Sequence, residues 1–126
     1  MNMNEVSTLV RNQIPVIEVV INNQVLGMVR QWQTLFYEKR YSHTILEDQT
    51  DFVKLAEAMG ADGYRAHTPE EFSEALRKAI ANGRPAVIDA RIDPDDKVFP
   101  MVPSGSPNGD VFDADDLKEK EAQAKK

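Results

Sequence analysis

Two adjacent asparagines, Asn22 and Asn23, follow the apolar, β-branched run Val16–Ile21 and precede Gly27 and an amphipathic segment. A side-chain amide oxygen is a hard, neutral ligand, better matched to magnesium or calcium than to a soft metal. In open parallel sheets, ligands collect beyond the carboxyl ends of the strands, and this pair falls at such an end. A helix starting just after it would turn backbone N–H groups toward an anion. Together these features suit a metal-bound diphosphate. The same dipeptide also suits a plain turn, because asparagine hydrogen-bonds its own backbone two residues on. Residue types alone leave both readings open.

Other chemistries have fewer residues to work with. The chain has 126 residues and no cysteine, which removes disulfides, thiolate metal sites and a cysteine nucleophile. Two histidines, His43 and His67, are too few for a histidine metal site. A net charge of −6 argues against nucleic acid, whose phosphates call for a basic face. No stretch is long or apolar enough to span a membrane, and the start lacks the basic and apolar regions of a signal peptide. The expected setting is the cytoplasm, or an organelle matrix in a eukaryote.

The elements that must position the asparagines follow from periodicity. Met3, Val6, Leu9 and Val10 have helical spacing, ended by Asn12 and Pro15. Val16–Ile21 predicts a strand buried on both faces, with Glu18 at an edge or facing a partner group. Met28, Val29, Trp32, Leu35 and Phe36 form one helical stripe. Residues 38–50 read as a long functional or mobile connection. Asp51 caps a helix with Phe52, Leu55, Ala56 and Met59 on its apolar face and Gly60 as its stop. "DGYRA" is a short strand. Thr68, Pro69 and Glu71 start a helix as cap, first residue and capping box. Its apolar face is Phe72, Ala75, Leu76, Ala79 and Ile80, and Asn82-Gly83 ends it. "PAVIDARI" is the last strand. The alternation predicts an α/β fold, a parallel sheet with helices on both faces. Residues 110–126 read as a charged, flexible tail.

The segment "INNQVLGMVRQWQTLFYEKRYSHT", with "DFVKLAEAMGADGYR", "PAVIDARID" and "VFPMVPSG", resembles the C-terminal thiamine-diphosphate domain of acetolactate synthase (acetohydroxyacid synthase), large catalytic subunit. The Asn-Asn pair is shared by thiamine-diphosphate enzymes in general. "GMVRQWQ", "LFY" and "PMVPSG" are more specific. The resemblance implies a partial pyrophosphate-domain fold over residues 1–109. It implies thiamine diphosphate and magnesium as cofactors, with Asn23 and the Val25 carbonyl as magnesium ligands. Asn22, Asn23, Gly27 and Met28 would be the cofactor-binding residues, Gly27 by allowing close backbone approach unless it merely starts a helix. Met28, Trp32 and Ser104 would line the substrate and inhibitor channel. From spacing alone, Met28 and Trp32 read equally as helix core, and Ser104 as part of a Pro-Ser-Gly turn.

The family's Gly-Asp-Gly motif, which carries a further magnesium ligand, would lie before Met1. The chain is therefore expected to be a C-terminal fragment. The resemblance places no catalytic residue here. The glutamate that activates the cofactor's aminopyrimidine comes from an N-terminal domain of a neighbouring subunit, so Glu5 and Glu18 are not candidates. The implied reaction joins a hydroxyethyl unit from pyruvate to pyruvate or 2-oxobutyrate, in valine, leucine and isoleucine synthesis, and the chain alone is expected to be inactive. The implied partners are the rest of the catalytic subunit, a second catalytic subunit and a regulatory subunit. FAD would belong to another region of the parent. The alternatives are another thiamine-diphosphate carboligase or decarboxylase, such as glyoxylate carboligase, or a non-catalytic interaction module.

Overall fold

A computed structural model describes residues 2–46 and 50–118. Met1, residues 47–49 of the long connection and residues 119–126 of the expected tail lie outside the described residues. The elements run α1 (Glu5–Arg11), β1 (Ile17–Asn22), α2 (Gly27–Phe36), α3 (Phe52–Ala58), β2 (Asp62–Ala66), α4 (Pro69–Asn82) and β3 (Ala86–Arg91), in the predicted order. The chain divides into two compact units, Met1–Asp96 and Lys97–Lys126.

In the first unit the three strands form one sheet of order β1-β3-β2, with both pairings parallel. The last strand is thus central. Ala86 to Ala90 are all buried, and Ile88 is fully so, as the near-continuous apolar run requires. Strand alternation assigns the faces. Val87 and Asp89 share a face with Val20, Asn22, Gly63 and Arg65, and Ile88 shares the other with Val19, Ile21 and Tyr64. On the first face, Val6 of α1 and Ala56 of α3 pack with Val87 and Ala61, flanked by Val10, Val20, Phe52 and Met59. On the second, α4 joins the sheet through Asn82 Nδ2, which donates to Tyr64 Oη at 3.0 Å. The sheet therefore carries helices on both sides.

One expectation is corrected. β1 is not buried on both faces. It is an edge strand in which Val19 and Ile21 are exposed and Ile17, Val20 and Asn22 are half-buried. Its apolar content reads like that of a central strand, but among the described residues it pairs with β3 on one side only. Glu18 is exposed on this edge strand.

Local signals behave as their chemistry dictates. Asp51 accepts from the N–H groups of Val53 and Lys54, both at 3.2 Å, at the start of α3. Thr68 Oγ1 accepts from Glu71 N, and Gly83 closes α4 in the left-handed region at φ 61°. The return arm of the capping box reaches one residue further back than the motif predicts, with His67 N donating to Glu71 Oε2 at 2.7 Å. Ala75 and Ala79 of α4 are buried, whereas Ile80, expected on the same face, is exposed.

In the second unit, Met101 and Phe112 form an antiparallel bridge with two N–H···O bonds of 2.9 Å. Phe99 meets Phe112 edge-on, with centroids 6.1 Å apart. Phe112, inside the stretch expected to be tail, is buried.

Gly63 marks a close approach of α3 to the sheet. A Cβ there would lie 2.8 Å from the Val53 carbonyl oxygen and 2.9 Å from Val53 Cγ1. Gly63→Ala is expected to destabilise the chain by about 1–3 kcal/mol, the usual cost of overpacking. Gly109→Ala, with nothing within 4 Å among the described residues, is expected to be neutral. Urea unfolding of the two variants side by side tests this; equal midpoints would contradict the packing.

Candidate functional site

The site is built at the carboxyl end of β1. Asn22 is the last residue of the strand, and its side chain is committed at both ends. Oδ1 accepts from Gln24 N at 3.1 Å, and Nδ2 donates to Asp89 Oδ1 at 2.8 Å. Asn23 Oδ1 accepts from Val25 N at 3.2 Å. Both amides thus make the local i to i+2 bond, and between them Gln24 takes a left-handed conformation, φ 61°. This is a sparsely populated region for a residue with a side chain. The turn is therefore set by its surroundings rather than by Gln24.

Behind the turn lies a polar group that sequence reasoning missed. Asp89 is fully buried in the central strand. Besides Asn22, its carboxylate accepts from Arg65 Nε at 3.1 Å and Arg91 Nε at 3.0 Å. Arg65 continues to Asp51 Oδ1 at 2.7 Å, so the chain of contacts runs from Asn22 on β1 through β3 and β2 to the cap of α3. The signal was present in "PAVIDARI": a carboxylate inside a buried apolar run must be paired. The bond to Asp89 heads the causes that hold the Arg65 guanidinium more firmly protonated than usual. The Asp51 carboxyl lies below its ordinary value, chiefly because Lys54 N–H donates to it and Arg65 stands beside it.

Beyond the turn, α2 starts differently from α3 and α4. Its N-cap, Leu26, makes no side-chain cap bond. Gly27 stands against Asn23, and a Cβ there would lie 2.6 Å from Asn23 Nδ2. Val25 is buried and bridges Ile45. Leu26 N donates to Thr44 O at 2.8 Å, and Thr44 is buried, with no hydrogen-bond partner for Oγ1 among the described residues.

The helix itself is inverted relative to a usual surface helix. Its buried residue is Gln31, while Met28, Val29, Trp32 and Phe36 are exposed. The core reading of Met28 and Trp32 is therefore wrong. They line an open cavity of about 460 Å³ with Val29, Gln33, Tyr37 and Arg40. Trp32 and Phe36 meet edge-on at 5.4 Å. The following segment folds back along α2 and walls this cavity. Gln33 Nε2 donates to Ser42 O and its Oε1 accepts from Ser42 N. Arg30 lies 4.1 Å over the Tyr41 ring and grips Asp95 through two bonds of 2.7 and 3.1 Å. The connection expected to be mobile or functional is thus tied down over its described part.

The structure brings together Asn22, Asn23, Val25, Gly27, Met28 and Trp32. Ser104 belongs to the second unit. It is exposed, in a turn where Ser106 N donates to Pro103 O at 3.1 Å and Gly105 has φ 84°. Its channel assignment rests on resemblance alone. Among the described residues no cluster of three or more His, Cys, Asp or Glu could hold a metal; the oxygens that this turn itself offers are side-chain amide and backbone oxygens.

Residues 1–90 match the family model of the thiamine pyrophosphate enzymes, C-terminal TPP binding domain. The chain belongs to this family. It is similar to the acetolactate synthase isozyme 2 large subunit of Escherichia coli K12, 39% identical over 113 residues, covering 90% of this chain and 21% of the relative. The acetolactate synthase large subunit of Corynebacterium glutamicum is 46% identical over 116 residues, covering 88% and 18%. The chain thus spans about a fifth of the length of the curated relatives it matches. Its fold is similar to the thiamine diphosphate-dependent 4-hydroxybenzoylformate decarboxylase of Rhodococcus jostii RHA1, with TM-score 0.63 and 26% identity over 72% of this chain and 17% of that one. For a benzoylformate decarboxylase from Polynucleobacter necessarius the TM-score is 0.65 at 25% identity, covering 77% and 18%. No described helix is long and apolar enough to cross a membrane.

Asp51 contributes a pH-dependent part of the folding stability. Its folded-state pKa is depressed, so the stability it contributes is complete above its unfolded value, about 3.9, and is lost as pH falls through the folded value. Asp51→Asn is expected to lower the melting temperature by a constant amount above about pH 5, with the difference shrinking below about pH 4. Melts from pH 2 to 7 check this; a difference that does not change with pH would contradict it.

Proposed function

We propose that the chain is the cofactor-holding region of an acetolactate synthase catalytic subunit, which condenses pyruvate with pyruvate or 2-oxobutyrate in branched-chain amino-acid synthesis. The observation that carries this is the 39% and 46% identity to acetolactate synthase large subunits over about nine tenths of the chain. The two solved structures named above are decarboxylases, so a thiamine-diphosphate decarboxylase is the second reading; their 25–26% identity supports it less.

The residues at the turn fit the cofactor and its metal. Asn23 Oδ1 receives one hydrogen bond, and a carbonyl oxygen has two lone pairs, so it can also serve magnesium, with the Val25 carbonyl as a second oxygen. The start of α2, without a side-chain cap, suits the diphosphate, since its first N–H groups need an acceptor. Gly27 leaves room for the Asn23 amide beside that helix start. Bound thiamine diphosphate supplies the carbanion and electron sink. The chain's own work is to hold and orient it, and to offer the apolar wall of Met28 and Trp32 to the substrate.

On this reading the partners are the rest of a catalytic subunit, a second catalytic subunit supplying the activating glutamate, and a regulatory subunit, in the cytoplasm or an organelle matrix. FAD, where the parent carries it, sits elsewhere. The chain alone, incubated with pyruvate, thiamine diphosphate and magnesium, forms no acetolactate.

The test is a chimera in which this chain replaces the matching region of the Corynebacterium glutamicum large subunit. It is expected to form acetolactate from pyruvate. Asn23→Ala should raise the magnesium needed for half-activation roughly tenfold or more, since a lost contact to a charged group costs about 1.5–3 kcal/mol. A chimera that binds thiamine diphosphate but only decarboxylates pyruvate would favour the second reading. Unchanged magnesium dependence in Asn23→Ala would remove Asn23 from the metal.

A further inference from the structure

We infer that Asp89 is a positioning residue for the cofactor turn, acting through the side-chain amide of Asn22. The inference rests on the function proposed above and adds to it a residue that lies behind the turn.

The geometry leaves Asn22 one orientation. Gln24 N–H can only donate, so the Asn22 atom facing it must be the oxygen, at 3.1 Å. An ionised carboxylate can only accept, so the Asn22 atom facing Asp89 must be the nitrogen, at 2.8 Å. With both ends fixed, the amide clamps the left-handed Gln24 and so the start of the segment that carries Asn23 and Val25. Asp89 has no freedom to yield. It is fully buried, and the other carboxylate oxygen accepts from Arg65 and Arg91. Arg65 is itself held by Asp51. The turn is thus referenced to the central strand and the far strand rather than to the edge strand that bears it.

These donor and acceptor roles make a sharp test. Its three Asn22, Arg65 and Arg91 contacts are all donors. In Asp89→Asn the new NH₂ must therefore face either the Asn22 amide nitrogen or the two guanidinium groups. The reciprocal double variant, Asn22→Asp with Asp89→Asn, restores the pattern. Asp at 22 accepts from Gln24 N and from the amide at 89, whose oxygen accepts from both arginines.

In the chimeric subunit, Asp89→Asn is expected to raise the thiamine-diphosphate concentration for half-activation at fixed magnesium roughly tenfold, the low end for residues that orient a ligand-bearing group from behind. The KM for pyruvate, measured at saturating cofactor, should stay within about twofold, because a positioning defect of the turn is overcome once the cofactor is bound. The double variant should recover most of the loss. Should Asp89→Asn fail to fold, Asn22→Ala removes the same bond at the rim of the sheet and must show the same direction of shift.

Unchanged half-activation in whichever variant folds would overturn the inference, as would a double variant no better than Asp89→Asn. Failure of the unaltered chimera to bind thiamine diphosphate would instead overturn the proposed function, and the inference with it.

Discussion

A carboxylate buried in the middle of a sheet constrains everything around it. Left uncompensated, such a charge costs several kcal/mol, and Asp89 is wholly removed from water. Compensation comes from both neighbouring strands: an amide from Asn22 on β1 and a guanidinium from Arg65 on β2, with Arg91 along the same strand. The arrangement requires β3 in the centre. It also requires this register, because a slip of one residue would turn the Asp89 side chain to the opposite face, away from Asn22 and Arg65. Packing of Val87 and Ile88 on the two faces favours a central β3, but apolar contacts are not directional. The hydrogen-bonded carboxylate supplies the directionality that they lack.

The same interaction joins folding to the site. Asp51 caps α3 and holds Arg65, Arg65 holds Asp89, and Asp89 orients Asn22. A cap is usually a local device worth about 1 kcal/mol. Here it is the outer end of a polar chain whose inner end is the turn before α2. The left-handed Gln24 is strained backbone of the kind that persists only where its surroundings over-determine it, and this chain of contacts is a large part of those surroundings.

Much of the fold was legible because its signals are local. Thr68, Pro69 and Glu71 mark the start of α4 by residue type and spacing, and Asp51 and Gly60 bracket α3 in the same way. The exposure of β1 and the partners of Asp89 were not legible, because both depend on neighbours distant in sequence. The apolar run of β1 reads as a buried strand, but burial follows from position in the sheet, and β1 lies at its edge. Asp89 sits in a run whose apolar neighbours dominate the pattern, and its partners come from positions 22 and 65. Asn22 and Asn23 could be singled out by chemistry and placement, but the division of labour between them depends on Asp89.

The inverted helix α2 adds an independent constraint. Burying a large apolar side chain contributes about 1.5–3 kcal/mol, yet α2 buries Gln31 and leaves Met28, Val29, Trp32 and Phe36 exposed. Folding of the first unit alone gives no reason for that choice; the reverse assignment would stabilise it more. The return segment does not cover this face either. Its contacts run through Gln33, Thr34 and Arg30 along one side of the helix, leaving the apolar side as the floor of a cavity whose wall includes Tyr37 and Arg40. Contiguous exposed apolar surface of this kind marks a site of interaction. It begins at Met28, one residue past Gly27, where the helix start meets the Asn23 amide. One short helix therefore presents polar N–H groups at its end and an apolar wall along its side. On the proposed function, a cofactor held at the first would have its substrate beside the second, and the turn that Asp89 fixes would set the relation between the two.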